Sequence, residues 1–563
     1  MAKAERMSSV DTTWLSMDRP GNPMVVVGLF ILEGPVNLNK VEATIAERFL
    51  MVPRLRQRVE SHAGEYWWAE DPYFDESRHI KRVRLPGKAD QSELQRFVAE
   101  LASEHLEKSR PLWQMHIVED YEAGAAVIIR IHHAIGDGAA LVGMILSLTD
   151  GGDYRVWMAH AEAEPPAWLS LPGIKTLQKG IGTLQKGVGV TTALLKEARS
   201  LATHPAKTAR IGAGVAGELA WLLLMPEDSW TRFKCKPSGN KRVAWTDPIP
   251  LQDVKAVGKA LDSTVNDVLL SSVAGALRQY LEDKGDPTKG VEVRAFVPVN
   301  LRRSLEAGQL GNKFGIVGVE LPVGIENPLD RLLEVHRRMQ ALKQSLEPPV
   351  TLGLFAILGN APQMLQDSLF NRIMHRGTAV MTNVPGPQNP IYLGGAKIEQ
   401  VMFWVPQSGD IGMGVSILSY NGRVQFGLIT DAAMVPDPEA IIAHFRPQFD
   451  QLLYHVLMSS WGQADVEAAG QAAQLATLET PAPRSRKSRP TSRPRTKAAV
   501  KSGAQAKALD APEQSEAPVP QPRKSRPRSR PRTRGSQAEP EAQAKPTATP
   551  EPRITARRKL PRK

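Results

Sequence analysis

The residues best suited to chemistry lie together in Ile131-His132-His133-Ala134-Ile135-Gly136-Asp137-Gly138. An imidazole titrates near neutral pH, so a rigidly held histidine can take a proton from an alcohol. Neighbouring side chains on a strand point to opposite faces, so His132 and His133 cannot serve the same reacting atom. One of the two is therefore expected to be structural. Asp137 and Gly138 are expected to make the tight turn that follows, Gly138 by adopting unusual dihedrals and Asp137 by bonding locally or pairing with an arginine. The plain alternative for any one histidine is a satisfied core residue. A metal pair is a further alternative, but adjacent ligands on an extended strand diverge and no nearby carboxylate or Cys offers a third ligand.

The pattern around this segment supplies what must hold it. Ala125 to Ile131 reads as a buried strand and Ala139 to Leu148 as an apolar helix, giving a strand, a sharp turn and a helix. Val25 to Leu32 is a further apolar strand, and Leu94 to Leu106 reads as an amphipathic helix. In the second half, Ser263-Thr264-Val265-Asn266-Asp267 has the form of a capped helix start, with an apolar stripe at Leu270, Ala274, Leu277 and Leu281 behind it. Glu292 to Val299 and Ile316 to Val323 read as strands. Ile411 to Tyr420 and Arg423 to Thr430 are strands joined by Asn421-Gly422, the pair that most favours a two-residue hairpin. A final helix is expected over Pro438 to Met458, with Pro447 kinking it. Mixed strands and helices of this kind predict an α/β fold with mixed sheets.

Four regions follow: a first domain over 1–160, a crossover over 161–240, a second domain over 241–465 and a tail over 466–563. The crossover repeats Thr-Leu-Gln-Lys-Gly-Ile-Gly (176 to 182) as Thr-Leu-Gln-Lys-Gly-Val-Gly (183 to 189) and could form an amphipathic surface helix or simply pack on the core. The tail is rich in Ala, Pro, Arg and Lys with few large apolar residues, and is expected to be disordered.

The formal charge of +12 resembles a nucleic-acid signal until it is located. Residues 481 to 563 hold 23 of the 71 Lys/Arg and 6 of the 59 Asp/Glu, a net +17, which leaves 48 basic against 53 acidic residues in the body, a net −5. The basic character belongs to the tail. Such an arm could be a solvated appendage, could hold anionic phospholipid, or could bind nucleic acid through its phosphates. A single cysteine, Cys235, excludes an intramolecular disulfide and suits a reducing compartment. The N-terminal residues lack an apolar signal region, so the cytoplasm is expected. The longest apolar stretch, Gly212 to Met225, is too short to span a bilayer and is interrupted by Glu218, so any membrane contact is expected to be peripheral, on the inner membrane or on lipid inclusions. Gly212-Ala213-Gly214-Val215-Ala216-Gly217 matches a dinucleotide fingerprint in letters only, because a polar, basic segment precedes it rather than a strand.

The His-His-x-x-x-Asp-Gly segment resembles the active-site motif of the bacterial wax ester synthase/diacylglycerol acyltransferase family, within the wider coenzyme A-dependent acyltransferases. Further segments agree in order: Pro53 to Arg58, Pro111-Leu112-Trp113, Asn266-Asp267, Pro298 to Arg302, Leu310-Gly311-Asn312 and Asn383 to Pro387. The likeness spans about residues 7 to 460. It implies two chloramphenicol-acetyltransferase-like domains with a tunnel between them, His133 as the base, Asp137 as mainly structural and His132 as support. It also implies transfer of a fatty acyl group from acyl-CoA, a substrate rather than a cofactor, to a long-chain alcohol or to diacylglycerol, with neither a metal nor a cofactor.

The residues suit that mechanism. An alkoxide attacking a thioester makes an oxyanion that needs fixed donors. Asn266, at a helix start, is a candidate donor through its amide, or a cap with no catalytic part. No acyl-enzyme is required, since no Gly-x-Ser-x-Gly elbow occurs and Cys235 is not beside a histidine. Two alternatives stay open: a same-fold acyltransferase or condensation-type enzyme with another acceptor, and a tail-driven nucleic-acid or anionic-surface binding protein.

Overall fold

A computed structural model of the chain describes residues 4–150, 224–300, 312, 314–343, 350–351, 354 and 372–459. Most of the crossover, with its repeat and glycine fingerprint, and the whole basic tail lie outside the described residues.

Two large mixed sheets carry the described structure. The first has six strands in the order Tyr392–Leu393, Ala396–Trp404, Val25–Leu32, Gly124–His132, Trp113–Tyr121 and Ile80–Val83. All neighbours are antiparallel except the last pair. The second runs Phe314–Leu321, Val293–Asn300, Ala379–Pro385, Met413–Tyr420, Arg423–Asp431 and Lys241–Trp245, with Ile249–Pro250 also paired to Arg423–Asp431. Its Ala379–Pro385 strand is parallel to both neighbours. The mixed α/β class expected from the pattern is what the chain adopts.

The strand Ala396–Trp404 comes from the second half of the sequence yet extends the first sheet, with Val401 opposite Phe30 and Phe403 opposite Gly28. This strand is not among those expected from the sequence, and a local pattern would not in any case report which sheet it joins. The two halves are thereby tied by a ladder of backbone hydrogen bonds. One apolar core accordingly mixes Val27, Phe30 and Ile129 with Trp404, Ile411 and Leu418. A second core lies where the helices Leu251–Ala260, Val265–Asp283 and Pro438–Ser459 cover the second sheet, around Leu270, Leu277, Phe426, Phe445 and Phe449.

Local signals account for several elements. Thr264 and Asp267 form a reciprocal capping box at the start of Val265–Asp283. Asn421 and Gly422 both have positive φ, 48° and 72°, the left-handed pair that a two-residue hairpin with the twist of its strands requires. The last helix runs Pro438–Ser459 with Pro447 inside it. Among the described residues no helix is long and apolar enough to cross a membrane.

Candidate active site

The strand Gly124–His132 is central in the first sheet and buried on both faces over Ala125–His132, as its run of Val127, Ile128, Ile129 and Ile131 dictates. His132 is its last residue, and the ladder continues one step further through a bond from the His133 amide to the Met24 carbonyl, 2.8 Å. The Ile135 amide then bonds back to the His132 carbonyl at 3.0 Å, turning the chain. Asp137, extended with ψ 172°, caps the helix Gly138–Ser147 by accepting from the Ala140 amide at 2.9 Å. His133 is thus clamped between a sheet ladder and a capped helix.

Gly138 departs from its expected role. Its φ is not positive, so it supplies no unusual dihedral. It opens the helix in ordinary geometry, and a Cβ placed there would meet nothing within 4 Å. The chain turns earlier, over His133 and Ala134, and Asp137 follows in extended conformation with its carboxylate serving as the cap.

The two histidines differ as expected for neighbours at a strand end. His132 accepts a bond from the Ala134 amide through Nδ1, 3.1 Å, which places its ring proton on Nε2, 4.0 Å from the Asp18 carboxylate. Burial pushes its pKa down to about 4, against the pull of Asp18. Burial alone would raise Asp18, but His132, the Met24 amide and Lys108 outweigh it and hold the carboxyl below its ordinary value. His132 is 1% exposed and ties the turn together.

His133 is 5% exposed, with Trp14 stacked on its ring at 4.2 Å between centroids and Phe314 tilted against it at 5.6 Å. Its Nδ1 lies 3.1 Å from Asn312 Oδ1. The Asn312 amide nitrogen donates in turn to Asp11 Oδ1 at 2.8 Å and to the His133 carbonyl at 3.1 Å. Burial lowers the His133 pKa to about 4, partly offset by Asp137, by its own backbone and by Asn312. The imidazole is therefore neutral at physiological pH, the protonation state a general base requires.

His133 lines a cavity of about 40 Å³ together with Trp14, Phe296, Phe314, Met374 and Ser408. That is room for a few water-sized groups. The walls come from both halves of the chain and are mainly apolar. Among the described lining residues, apart from the His133 imidazole and the Trp14 indole, the side chain able to donate a hydrogen bond is that of Ser408.

Asn266 is not brought to this cavity. Its Oδ1 accepts from Asn383 Nδ2 at 2.8 Å, while its neighbour Asp267 caps the helix and accepts from His336 at 2.8 Å. Asp11, Trp14, Phe314 and Ser408 carried no sequence signal, and Asn312 stood only within Leu310-Gly311-Asn312, 179 residues from the histidine it meets. Cys235 is exposed. Among the described residues no three His, Cys, Asp or Glu side chains converge on a metal site.

Two family profiles match the chain in order. The wax ester synthase/diacylglycerol acyltransferase catalytic domain matches residues 7–269, and the WS/DGAT C-terminal domain matches residues 310–453. This chain belongs to the wax ester synthase/diacylglycerol acyltransferase family. It is an acyltransferase. A Mycobacterium tuberculosis relative named "Probable diacylglycerol O-acyltransferase tgs1" is 27% identical over 423 residues, covering 74% of this chain and 88% of the relative. Among solved structures, the wax ester synthase/diacylglycerol acyltransferase from Marinobacter aquaeolei VT8 aligns with a TM-score of 0.56 and 23% identity, covering 80% of this chain and 99% of that one. A trichothecene 15-O-acetyltransferase from Fusarium sporotrichioides aligns with a TM-score of 0.52 and 12% identity, over 79% of this chain and 95% of that one. Both show that this family member shares their fold.

Proposed function

We propose that this acyltransferase moves a fatty acyl group from coenzyme A to the free hydroxyl of diacylglycerol or of a long-chain alcohol. His133 takes the hydroxyl proton as the oxygen attacks the thioester carbonyl. A C–O bond forms, the carbonyl electrons move onto its oxygen, and their return expels the thiolate as the C–S bond breaks. The imidazolium gives its proton to the thiolate, so His133 is restored and free coenzyme A leaves.

The observation that carries this reading is the neutral, buried imidazole lining an apolar cavity. Few water-sized groups fit there, so a thioester meeting His133 is shielded from hydrolysis. We take the reacting carbonyl and hydroxyl to meet in this cavity. Ser408 lines the cavity, and its hydroxyl is the donor we assign to the developing oxyanion. Asp137 acts through the helix it caps.

Palmitoyl-CoA mixed with hexadecanol or diolein, followed by release of free thiol, tests the reaction. Turnover is expected with wild type and a loss of roughly a hundred-fold or more with His133→Ala. An undiminished rate in that variant removes His133 from the mechanism. Running the two acceptors side by side ranks them. We also place the enzyme on a lipid surface, because its substrates partition there, with the basic tail as the anchor. If a chain lacking residues 481 to 563 floats with anionic vesicles as well as the full chain does, the tail is not that anchor.

A further inference from the structure

We propose that Asn312 and Asp11 are positioning residues that hold His133 with its proton on Nδ1 and its lone pair on Nε2. This rests on His133 being the base.

An asparagine amide can be turned either way, and its contacts decide which. Asn312 Nδ2 faces two groups, Asp11 Oδ1 at 2.8 Å and the carbonyl of His133 at 3.1 Å. An ionised carboxylate and a carbonyl are acceptors only, so each takes one of the two amide hydrogens. Turning the amide over would set its oxygen against both of them inside a buried site, where unmatched polar contacts cost most. The amide oxygen is therefore the atom presented to His133 Nδ1, 3.1 Å away. A carbonyl oxygen accepts and cannot donate, so Nδ1 must carry the hydrogen. In a neutral ring Nε2 is then unprotonated.

Asp11 sits at the start of the helix Ser9–Ser16, where the Ser8 side chain accepts from its amide. Burial raises its pKa to about 6, with the bonds from Asn312 and Ser8 and the charge of Arg54 working the other way, so it remains mostly ionised at neutral pH. Three residues further on, the same helical face presents Trp14 to the imidazole. One short helix thus orients the base twice: its carboxylate sets the asparagine that sets the tautomer, and its indole sets the plane of the ring. His133 also cannot rotate to exchange its nitrogens without breaking the bond to Asn312.

The tautomer is directly measurable in the full-length protein labelled with ¹⁵N in its histidine rings, with the His133 signals assigned by their absence from His133→Gln. Nδ1 should resonate as a protonated pyrrole-type nitrogen and Nε2 as a pyridine-type one. The reverse pattern in wild type overturns the proposal, whatever the variants do. Asn312→Leu should mix the two tautomers and lower kcat about 10- to 100-fold, with KM for palmitoyl-CoA within about twofold. Asp11→Leu should behave alike, whereas Asp11→Asn, which still offers an oxygen to the Asn312 amide, should recover activity to within about fivefold of wild type. An unaltered tautomer in folded Asn312→Leu also overturns the proposal. Failure here is distinct from failure of the reaction assignment: an inactive His133→Ala alongside an Nε2-protonated wild type sinks the relay and leaves the base standing.

Discussion

Trp14 lies nearly flat on His133, with ring centroids 4.2 Å apart and planes 21° apart. The indole does two things for the imidazole. It occupies the volume water would need, which keeps the ring neutral, and it restricts rotation about the ring's own bonds. Trp14 is itself 6% exposed and packs on Phe314 at 5.6 Å, so the three rings form one block at the cavity wall.

Removing that block should therefore cost both stability and rate. Trp14→Ala is expected to destabilise by about 3–5 kcal/mol, the range for deleting a buried aromatic, and to lower kcat at least tenfold. Trp14→Phe, which keeps an aromatic face on the imidazole, should retain most of both. Chemical denaturation and initial rates measured on the same preparations check this. A Trp14→Phe variant as slow as Trp14→Ala would show that the indole is needed for something other than the stack.

Asp137 caps the helix Gly138–Ser147 through an oxygen that asparagine also possesses. Loss of such a cap costs about 0.5–2 kcal/mol, and asparagine is as good a cap as aspartate. Asp137→Ala should accordingly lower the melting temperature by a few degrees and reduce activity with it, while Asp137→Asn should hold the melting temperature within about 1 °C. Should Asp137→Asn fold normally but lose more than tenfold in kcat, the negative charge itself would belong to the chemistry.

How much of this was legible beforehand follows the range over which each signal acts. The strand Gly124–His132, the capping box at Thr264 and Asp267 and the hairpin at Asn421 and Gly422 are built from contacts between residues a few positions apart, and the pattern reports them. His133 was legible because its neighbours in sequence are also its neighbours in space. Asn312 meets it from 179 residues away, and Ser408 reaches the same cavity from beyond that. Ser408 carries no local signal, and the segment Leu310-Gly311-Asn312 marks Asn312 without saying which residue it meets. The strand Ala396–Trp404 illustrates the same limit at the level of the fold, since a local pattern says nothing about the sheet that will accept a strand. Asn266 carried a sequence signal, the helix start, yet it does not line the cavity, and its amide oxygen accepts from Asn383.

Acid should destabilise the fold before it reaches the ordinary carboxylate range. His116, His132 and His133 are each pushed by burial from 6.5 to about 4, so between those values the unfolded chain binds protons that the folded chain does not. Stability therefore falls as pH drops from about 6.5 toward 4. Asp11 runs the other way: its folded pKa of about 6 lies above the usual 3.8, so protonation in that window favours the folded form. With His79 also lowered by burial, the histidines outweigh Asp11 and leave a net loss. Melting temperatures recorded from pH 7.5 to 4.5 should decline steadily, and a flat profile would mean that these rings are not neutral inside the protein. Initial rates should behave differently over the upper part of that window. A base whose pKa is about 4 stays unprotonated at pH 5.5, so the rate should lack the acid limb near 6.5 that an exposed histidine would give.

The oxyanion donor is decided by comparing two residues. Ser408 is 5% exposed and lines the His133 cavity, whereas Asn266 does not. Loss of a single oxyanion donor typically costs about 10²–10³ in kcat. Ser408→Ala is therefore expected to lower kcat by about a hundred-fold with little change in KM for palmitoyl-CoA, since the hydroxyl matters as charge develops on the carbonyl oxygen and less before. Asn266→Asp keeps the oxygen that accepts from Asn383 but removes the amide hydrogens that an oxyanion would need. As a tie between the helix Val265–Asp283 and the strand Ala379–Pro385, it should hold its melting temperature and lose less than tenfold in kcat. The reverse ranking, a mild Ser408→Ala beside a folded Asn266→Asp that has lost two orders of magnitude, would return the oxyanion to Asn266 and require the helix start to approach His133 when substrate binds.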